Sequence, residues 1–487
     1  MRWWWMVTAG PSTPLRSGRD DKSKDGFLPL RSSLGWMEKQ VPPLRYRSGR
    51  DDKFASKSEG VLRPGFVCGG ETTDLPSVDA EKVSTIRDKN VRVIESASPW
   101  VLPEDAGYRR EPARPANRRP GDFEALFDAR TVFYDCFRLT ATQVMLIAPP
   151  LNRFAGVLDS LSITSLPTEG PCRYQAEQKF ATGFAGRQTH TMCRVVVDVP
   201  ESDISLSVQC RAGSTVLQIK PDSCTAFRGR RVLLTLSRNN DLRWICDWMR
   251  FHRDLHHADA VLLYDNGSTT YTAASLLEAM KRVSGFKAIA VVEWPYKYGP
   301  QGIGRGTWDS AFCQDGALED ARWRFLADAY AVLSCDIDEL VLSDAGSVFD
   351  RAAGAAEGHV KFSGRWVNAQ ALNGSKNADQ TTPRHRDSTL QLLPQSRWQT
   401  FRRKDVNLCP AKWAVVPNRC PQAAQWSVHE IVGMRALQLK PGDMSYRHFR
   451  QIGTNWKNNR ASHDLSGQMH QEDARLREAF ARVRWDE

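Results

Sequence analysis

Four short apolar runs alternate with longer segments in which apolar residues recur at helical spacing, and this alternation constrains the fold most strongly. The runs, rich in Val, Leu and Ala, are typical of strands buried on both faces of a sheet. They lie at 232–236, 260–264, 288–292 and in the stretch that begins at Tyr330. Strands that alternate with helices form a mostly parallel sheet covered by helices on both faces. The pattern therefore predicts an α/β domain over residues 228–487.

The segments between these runs predict helices. The first covers about 241–255, with Asp241 as a candidate N-cap and Ile245 and Trp248 on its apolar face. The next two cover about 271–283 and 308–329.

Polar residues follow three of the predicted strands directly, at 237–240, 265–268 and 336–339. Ligands of open α/β sheets bind beyond the carboxyl ends of the strands. The shared placement of the three polar groups therefore predicts one binding site at this edge of the sheet.

The last polar group contains Asp336 and Asp338, which project to the same side if the chain is extended. Two carboxylates that close together repel each other unless a cation lies between them. Mg²⁺ and Mn²⁺ prefer oxygen ligands and bind one or two carboxylates together with substrate phosphates. The pair therefore indicates a metal and diphosphate site, and the alternative is an acidic turn without that role.

Two regions precede the α/β domain. Residues 1–121 are rich in Arg, Lys, Asp, Gly, Pro and Ser without periodic apolar residues, which predicts a disordered region. A polar heptapeptide occurs there twice, at 16–22 and 47–53, and two polar copies are too few for a solenoid. Residues 122–227 contain short β-branched runs separated by Pro, Gly and Asp, which predict a β-sandwich-like domain. A binding role and a structural role both stay open for that domain.

Composition limits the kinds of molecule that the protein is expected to bind and the environment in which it is expected to work. The formal net charge of +11 favours anionic partners such as nucleotides, phospholipid surfaces or nucleic acid, but much of the excess lies in the first hundred residues. No nucleic-acid module is recognisable, so we expect no nucleic-acid partner. The 11 cysteines lack metal-site spacing and indicate reduced thiols in a cytoplasmic protein. No apolar run approaches the roughly 20 residues of a membrane span, which leaves peripheral membrane contact as an alternative.

The order of the motifs resembles that of GT-A glycosyltransferases, closest to the family-2-like group that includes glycosyltransferase family 92. The resemblance covers about 230–460. It rests on the segments 236–240, 248–253, 263–268, 335–340, 412–417, 428–430, 447–450 and 456–457. It implies a GT-A, Rossmann-like fold and an inverting, metal-dependent transfer of a sugar from a nucleotide-sugar donor to a glycan or other hydroxyl acceptor, as in polysaccharide biosynthesis.

The resemblance also implies roles for individual residues. Asp265 matches the carboxylate that contacts the nucleotide base or ribose. Asp336 and Asp338 match the pair that holds Mn²⁺ or Mg²⁺ against the diphosphate. His429 matches a histidine that reaches the metal or diphosphate, and His448 is a second candidate.

The basic residues are candidates for phosphate contacts: Arg238, Lys412 and Lys457. Asn240 stands where the family often has a glutamate, which changes that contact with the donor. An inverting enzyme needs a general base, for which Glu430 and Asp405 are candidates. Glu339 is expected to orient the aspartate pair.

Two further readings stay open. The Gly-rich segment 301–306 is either a lid over the donor or a plain connector. Asn240, the β-rich segment and the basic tail favour, as the alternative function, a non-catalytic carbohydrate- or surface-binding protein with a degenerate GT-A domain.

Overall fold

The structure of the protein is a computed structural model. The residues that it describes are 90–112, 114–151, 156–182, 188–300, 312–344, 346–368, 383–399, 402–405, 407–454 and 470–486. The predictions for the repeated heptapeptide, the 301–306 segment and Lys457 lie outside these residues.

The strands of the described residues are numbered here in chain order. They are β1 (Val91–Ser96), β2 (Trp100–Val101), β3 (Thr131–Phe133), β4 (Asp135–Thr140), β5 (Gln143–Ala148), β6 (Ser162–Leu166), β7 (Tyr174–Thr182), β8 (Gln188–Asp198), β9 (Ser205–Cys210), β10 (Gly213–Gln218), β11 (Arg231–Ser237), β12 (Ala260–Asp265), β13 (Ala288–Glu293), β14 (Ala331–Ser334), β15 (Glu339–Ser343), β16 (His359–Asn368), β17 (Leu390–Leu392), β18 (Ser396–Gln399), β19 (Arg402–Asp405), β20 (Leu408–Val415), β21 (Gln425–Trp426), β22 (Ile431–Val432), β23 (Leu437–Gln438), β24 (Met444–Phe449) and β25 (His470–Glu472).

The α-helices are numbered in the same way. They are α1 (Phe123–Leu126), α2 (Gly156–Asp159), α3 (Cys224–Phe227), α4 (Leu242–His256), α5 (Ala273–Lys281), α6 (Phe312–Asp320), α7 (Val348–Gly354) and α8 (Ala474–Ala481). A π-helical turn, Ala321–Phe325, continues α6, and short 3-10 turns lie at Ala116–Arg118, His385–Asp387 and Pro417–Arg419.

The central sheet confirms the predicted α/β class. Its strands β13, β12, β11 and β14 are parallel neighbours in that order. Strand β20 then pairs antiparallel with β14, and β16 pairs antiparallel with β20. Strand β24 lies parallel to β16 and antiparallel to β15. The four parallel strands therefore end at one edge, where the predicted polar groups lie.

Alternate residues of these strands pack into cores on opposite faces of the sheet. Leu233 and Leu263 contact the core that includes Trp248 of α4 and Leu276 of α5. Their neighbours face the other core, which includes residues of α6 and of the β-rich region. This two-sided burial explains why the strands read as continuous apolar runs.

Helix α4 forms where the sequence predicts it. Asp241 is its N-cap and accepts a hydrogen bond from the Arg243 N–H. Helix α5 begins after Thr272, whose hydroxyl accepts from the Ser275 N–H. The predicted helix 308–329 differs, since its described part ends with the π-helical turn at Phe325 and the chain must turn before it enters β14.

The β-rich region is a sandwich of two antiparallel sheets. One sheet has the order β4-β5-β8-β7 and the other has the order β6-β9-β10. Val144 and Val195 of the first sheet share one buried core with Leu206 and Val208 of the second. The two sheets form the β-sandwich-like fold that the sequence predicts for this region, and Trp100 and Leu102, from before residue 122, add to its core.

Strand β1 lies within the segment 1–121 that the sequence predicts to be disordered, so that boundary requires correction. It adds to the edge of the central sheet, parallel to β13, with Val91 opposite Ala288 and Ser96 opposite Glu293. The central sheet thus takes a strand from before the sandwich as well as the strands after it. The two parts of the fold are interleaved along the chain.

Two findings bear on the expected environment. Among the described residues, no helix combines the length and the apolar character needed to cross a bilayer. The ten cysteines in this part of the chain are all free thiols, and most are buried.

A buried arginine, Arg324, forms ion pairs with both the sandwich and the central sheet. Arg324 has a fully buried side chain, with Nη1 3.0 Å from Asp135 Oδ2 of the sandwich and Nη2 2.7 Å from Glu95 Oε2 of β1. Asp135 is equally buried. A buried charge that loses its partner is strongly destabilising, so this contact makes the three segments depend on one another.

We expect Arg324→Met to lower the free energy of unfolding by about 3 to 5 kcal/mol, because Asp135 would keep a buried charge without this partner. Urea denaturation of the purified protein measures the change. Arg228→Met is the matched control, because the Arg228–Asp328 pair is largely exposed and its loss should cost less than about 1 kcal/mol. Equal losses in the two variants would contradict this role for Arg324.

Candidate active site

The three acids predicted at the strand end are gathered by a tight turn. Strand β14 ends at Ser334, and the Glu339 N–H donates to the Asp336 C=O at 3.0 Å, which closes the turn 336–339. The Asp336 N–H donates to the Glu339 carboxylate at 2.9 Å. The expectation that alternation on an extended strand brings Asp336 and Asp338 together is therefore replaced by a turn, which we call the acid turn.

Lys412 of β20 lies between two carboxylates of the acid turn. Its Nζ is 2.8 Å from Asp336 Oδ2 and 2.9 Å from Glu339 Oε2. The Lys412 side chain is 2% exposed and that of Glu339 is 1% exposed. Burial alone would lower the pKa of Lys412, but the charges of Asp336 and Glu339 outweigh it and raise that pKa. The ammonium predicted to bind phosphate is thus bound to acids of the protein itself.

His448 lies on the other side of the acid turn. Strand β24 pairs with β15 so that His448 is directly opposite Glu339. The His448 Nε2 is 3.0 Å from Asp338 Oδ2, and its Nδ1 is 3.7 Å from Glu339 Oε1. The ring stacks on Trp366 with centroids 4.0 Å apart. The stack and the carboxylates together fix the orientation of the imidazole.

Among the residues that the structure describes, Asp338, Glu339 and His448 form a group whose ligand atoms lie close enough to hold one metal ion, all within 4.8 Å of one another. A carboxylate combined with an imidazole suits a transition metal such as Mn²⁺, whereas Mg²⁺ favours oxygen ligands throughout. A carboxylate beside the second nitrogen of a ligating histidine can orient its ring, and Glu339 Oε1 lies 3.7 Å from His448 Nδ1, where it acts through its charge rather than a hydrogen bond.

His429, the histidine first matched to the metal or diphosphate, lies on the Lys412 side of the acid turn. Its Nδ1 is 3.1 Å from the Ala411 C=O. The residue is exposed, and desolvation first and the charge of Lys412 next lower its pKa to about 4. The described contacts therefore bring His448, rather than His429, to Asp338.

Asp265 belongs to a second polar cluster, at the ends of β11 and β12. Strand register places it directly beside Ser237 and Glu293. The Ser268 hydroxyl donates to its carboxylate. Burial foremost raises the pKa of Asp265. Two strand spacings of about 4.8 Å separate β12 from β14, so the cluster and the acid turn start roughly 10 Å apart along the same edge.

Asn239 joins the loops that follow these two strands. Its backbone is in the left-handed region with φ 55°, where Asn is tolerated better than most residues. Its N–H donates to the Ser268 hydroxyl at 2.8 Å, and its side-chain oxygen accepts from the Thr269 N–H at 2.6 Å. Ser268 in turn bonds Asp265, so this relay fixes the Asp265 carboxylate.

Arg238 and Asn240 flank this relay. The charge of Arg238 is close enough to Asp265 to influence its pKa, after the larger effects of burial and the Ser268 hydrogen bonds. The Asn240 amide donates to the Ser237 hydroxyl at 2.9 Å. Both predicted donor-binding residues are therefore at the edge where Asp265 lies.

The two candidate bases have different surroundings. The Glu430 side chain is 61% exposed and lies 3.5 Å from Lys361 Nζ. The Asp405 carboxylate lies 3.0 Å from Arg365 and accepts from the N–H groups of Gln395 and Asn407. These contacts hold Asp405 between the ends of its own hairpin and Arg365 of β16, whereas the exposed Glu430 directly follows His429 in the chain.

A polar cavity of about 380 Å³ lies among β16, β24 and the start of α8. It is lined by Arg365 and Arg447. These arginines directly precede Trp366 and His448 in their strands, so their side chains project to the opposite face of the sheet from Trp366 and His448. Each of these arginines is paired with a carboxylate, Arg447 with Asp473 and Arg365 with Asp405. The cavity is therefore separate from the acid turn.

Buried histidines hold the backbone of the acid turn and of the strand that follows it. The Ile337 C=O accepts from His385 Nε2 at 2.8 Å. His256 donates from Nε2 to the Val341 C=O at 2.7 Å, while its Nδ1 accepts from the Val348 N–H at 3.1 Å. Sequence reasoning missed these residues because their partners are backbone groups far along the chain.

Comparisons with known proteins give little beyond this geometry. No protein-family model and no curated protein matches the chain. One similar solved structure is core-mannan synthase A from Aspergillus fumigatus in a Mn/GDP form, with 9% identity, TM-score 0.21, and coverage of 30% of this chain and 45% of that chain. Another is the mannosyltransferase Ktr4p from S. cerevisiae in complex with GDP, with 11% identity, TM-score 0.21, and coverage of 29% and 41%. The chain spans less than half the length of either structure.

Low pH should destabilise the folded protein through protonation of His256, which holds the strand after the acid turn. Burial first lowers its pKa from 6.5 to about 4. Between these values the unfolded chain takes up a proton that the folded chain does not. The stabilising contribution is therefore complete above pH 6.5 and is lost as the pH falls toward 4, by on the order of 3 kcal/mol.

Urea denaturation across this pH range measures the effect. His256→Gln should reduce the slope of unfolding free energy against pH by about one proton. The exposed neighbour provides the control, and His257→Asn should keep the wild-type slope. Identical slopes in wild type and His256→Gln would contradict the assignment.

Proposed function

We propose that the protein is a metal-dependent glycosyltransferase of the GT-A type that uses a nucleotide-sugar donor. The observation that carries this proposal is the pairing of Asp338 with His448 at the sheet edge that also presents the Asp265 cluster. The two groups supply what a nucleotide sugar needs, a cation site for the diphosphate and polar partners for the nucleoside. The parallel order of β13, β12, β11 and β14 supports the GT-A architecture.

The separation of the two groups suits a nucleotide sugar. Their strands are two positions apart in the sheet, roughly 10 Å. A nucleoside bound at Asp265, Arg238 and Asn240 would extend its diphosphate along the edge toward Asp338. Ligands of open α/β sheets bind at this edge, beyond the carboxyl ends of the strands.

Asp338 and His448 would hold the divalent cation, with Glu339 orienting the imidazole. The bound cation supplies Lewis acidity that stabilises the negative charge developing on the departing nucleoside diphosphate. The mixed carboxylate and imidazole donors favour Mn²⁺ over Mg²⁺. Asp336, paired with Lys412, is 30% exposed and can still accept a hydrogen bond from the donor.

Transfer to a hydroxyl acceptor with inversion requires removal of the acceptor proton. Glu430 is the candidate base that we retain, because its carboxylate is exposed to an approaching acceptor and because it directly follows His429, whose pKa responds to the charges of Lys412 and Asp336. As a carboxylate it would take up the acceptor proton while the new glycosidic bond forms. Asp405 is the less suitable candidate, since its carboxylate already binds Arg365 and two backbone N–H groups.

We expect Asp338→Asn to lower kcat by about 100-fold or more, because the amide is a weaker cation ligand. The assay measures transfer and donor hydrolysis with a panel of sugar nucleotides and MnCl₂. Asp443→Asn is the matched control, since Asp443 lies in the loop between β23 and β24 and is not part of the acid turn. Its backbone N–H donates to the Lys440 C=O. Its activity should equal that of wild type.

Unchanged turnover in Asp338→Asn would remove this site from the reaction. Calorimetry with UDP and GDP, each with and without Mn²⁺, distinguishes the enzyme from the alternative function. Metal-dependent binding supports the enzyme, whereas binding of glycans alone would indicate the non-catalytic carbohydrate-binding protein.

A further inference from the structure

Glu339 divides the acid turn into two halves that hold different positive groups. Its Oε2 contacts Lys412 Nζ at 2.9 Å and accepts from the Asp336 N–H at 2.9 Å. Its Oε1 faces His448 Nδ1 at 3.7 Å. The half that contains Asp336 is therefore already supplied with a cation, the ammonium of Lys412.

We propose that Lys412 is an internal counter-cation that occupies a second cation position, between Asp336 and Glu339, and so limits the acid turn to one exchangeable metal ion. This inference deepens the proposed function, because it assigns the number of cations in the same site. Lys412 is a positioning residue in this account, and it fixes Asp336 without taking part in metal binding.

Burial is the first argument for this role. The Lys412 side chain is 2% exposed, and a buried ammonium persists only when paired. Both of its contacts are with carboxylates rather than with backbone oxygens. The ammonium therefore neutralises charge that would otherwise require a metal ion or protonation.

Strand pairing is the second argument. Strand β20 pairs with β14 so that Trp413 is opposite Ser334, which places Lys412 beside the first residues of the acid turn. On its other side β20 pairs with β16, with Lys412 opposite Phe362. The backbone that carries Lys412 is therefore held by strand pairing on both sides, directly beside the acid turn.

Replacing Lys412 with methionine keeps most of the side-chain volume and removes the charge. Asp336 and the buried Glu339 would then repel each other, and a divalent cation would relieve the repulsion. We expect Lys412→Met to lower the Tm in EDTA by about 10 °C. Millimolar MnCl₂ should restore at least about half of that loss. Electron paramagnetic resonance titration should count two bound Mn²⁺ in this variant and one in wild type.

The double variant Lys412→Met/Glu339→Gln keeps the test decisive if the single variant is too unstable to purify without cation. It removes one acid together with the ammonium, so it should be more stable in EDTA than Lys412→Met and should show no gain in Tm from Mn²⁺ beyond that of wild type. Lys361→Met is the control on the neighbouring strand, because its partner Glu430 is exposed, and its Tm should not depend on the cation more than in wild type.

Two results would overturn the inference. One is a single variant that stays unstable in MnCl₂ while the double variant is stable, because the position would then not accept a cation. The other is a single variant as stable in EDTA as wild type. If the proposed function is wrong but this inference is right, the result differs. Wild type would then bind no Mn²⁺, while Lys412→Met would still gain stability from Mn²⁺.

Discussion

The buried ion pairs of Lys412 are the interaction on which the site depends. Three carboxylates within four residues would repel one another at a strand end, and two of them share this ammonium at 2.8 and 2.9 Å. The arrangement leaves Asp338, on the far side of Glu339, as the acid that meets His448. In the proposed function, a lysine from a neighbouring strand thereby leaves Asp338 as the acid for a metal ion.

The sheet makes this division possible, because its strands bring in residues from distant parts of the chain. Strand β14 delivers the acid turn, β20 delivers Lys412 and β24 delivers His448. The parallel strands β11 and β12 end beside them and carry the relay from Asn239 to Asp265. Buried histidines hold the backbone behind the acid turn. The geometry of the site is thus a property of the whole sheet rather than of one loop.

Local sequence signals predicted the individual strands and helices better than the contacts that these elements make with one another. The strands at β11, β12 and β13 and the start of α4 at Asp241 were evident because apolar periodicity and capping are encoded over a few residues. Strand β1 was missed, since its six residues lie within a charged, Pro-rich region and are only partly buried at the sheet edge.

Long-range pairing explains the remaining differences at the site. Lys412 and Asp336 are 76 positions apart, and His448 and Asp338 are 110 apart. No local pattern distinguishes a lysine that binds phosphate from one that binds acids, nor shows that His448 rather than His429 lies beside Asp338. Those assignments needed the register of β20 and β24. The acid turn itself was found because its carboxylates follow an apolar strand directly.

The most direct test of the account is diffraction from crystals grown with MnCl₂, with data collected near the manganese absorption edge. The account predicts one anomalous peak in the acid turn, bound by Asp338 and His448, with the Lys412 ammonium still between Asp336 and Glu339. Manganese bound by Asp336 with Lys412 displaced, or no peak beside Asp338, would contradict it.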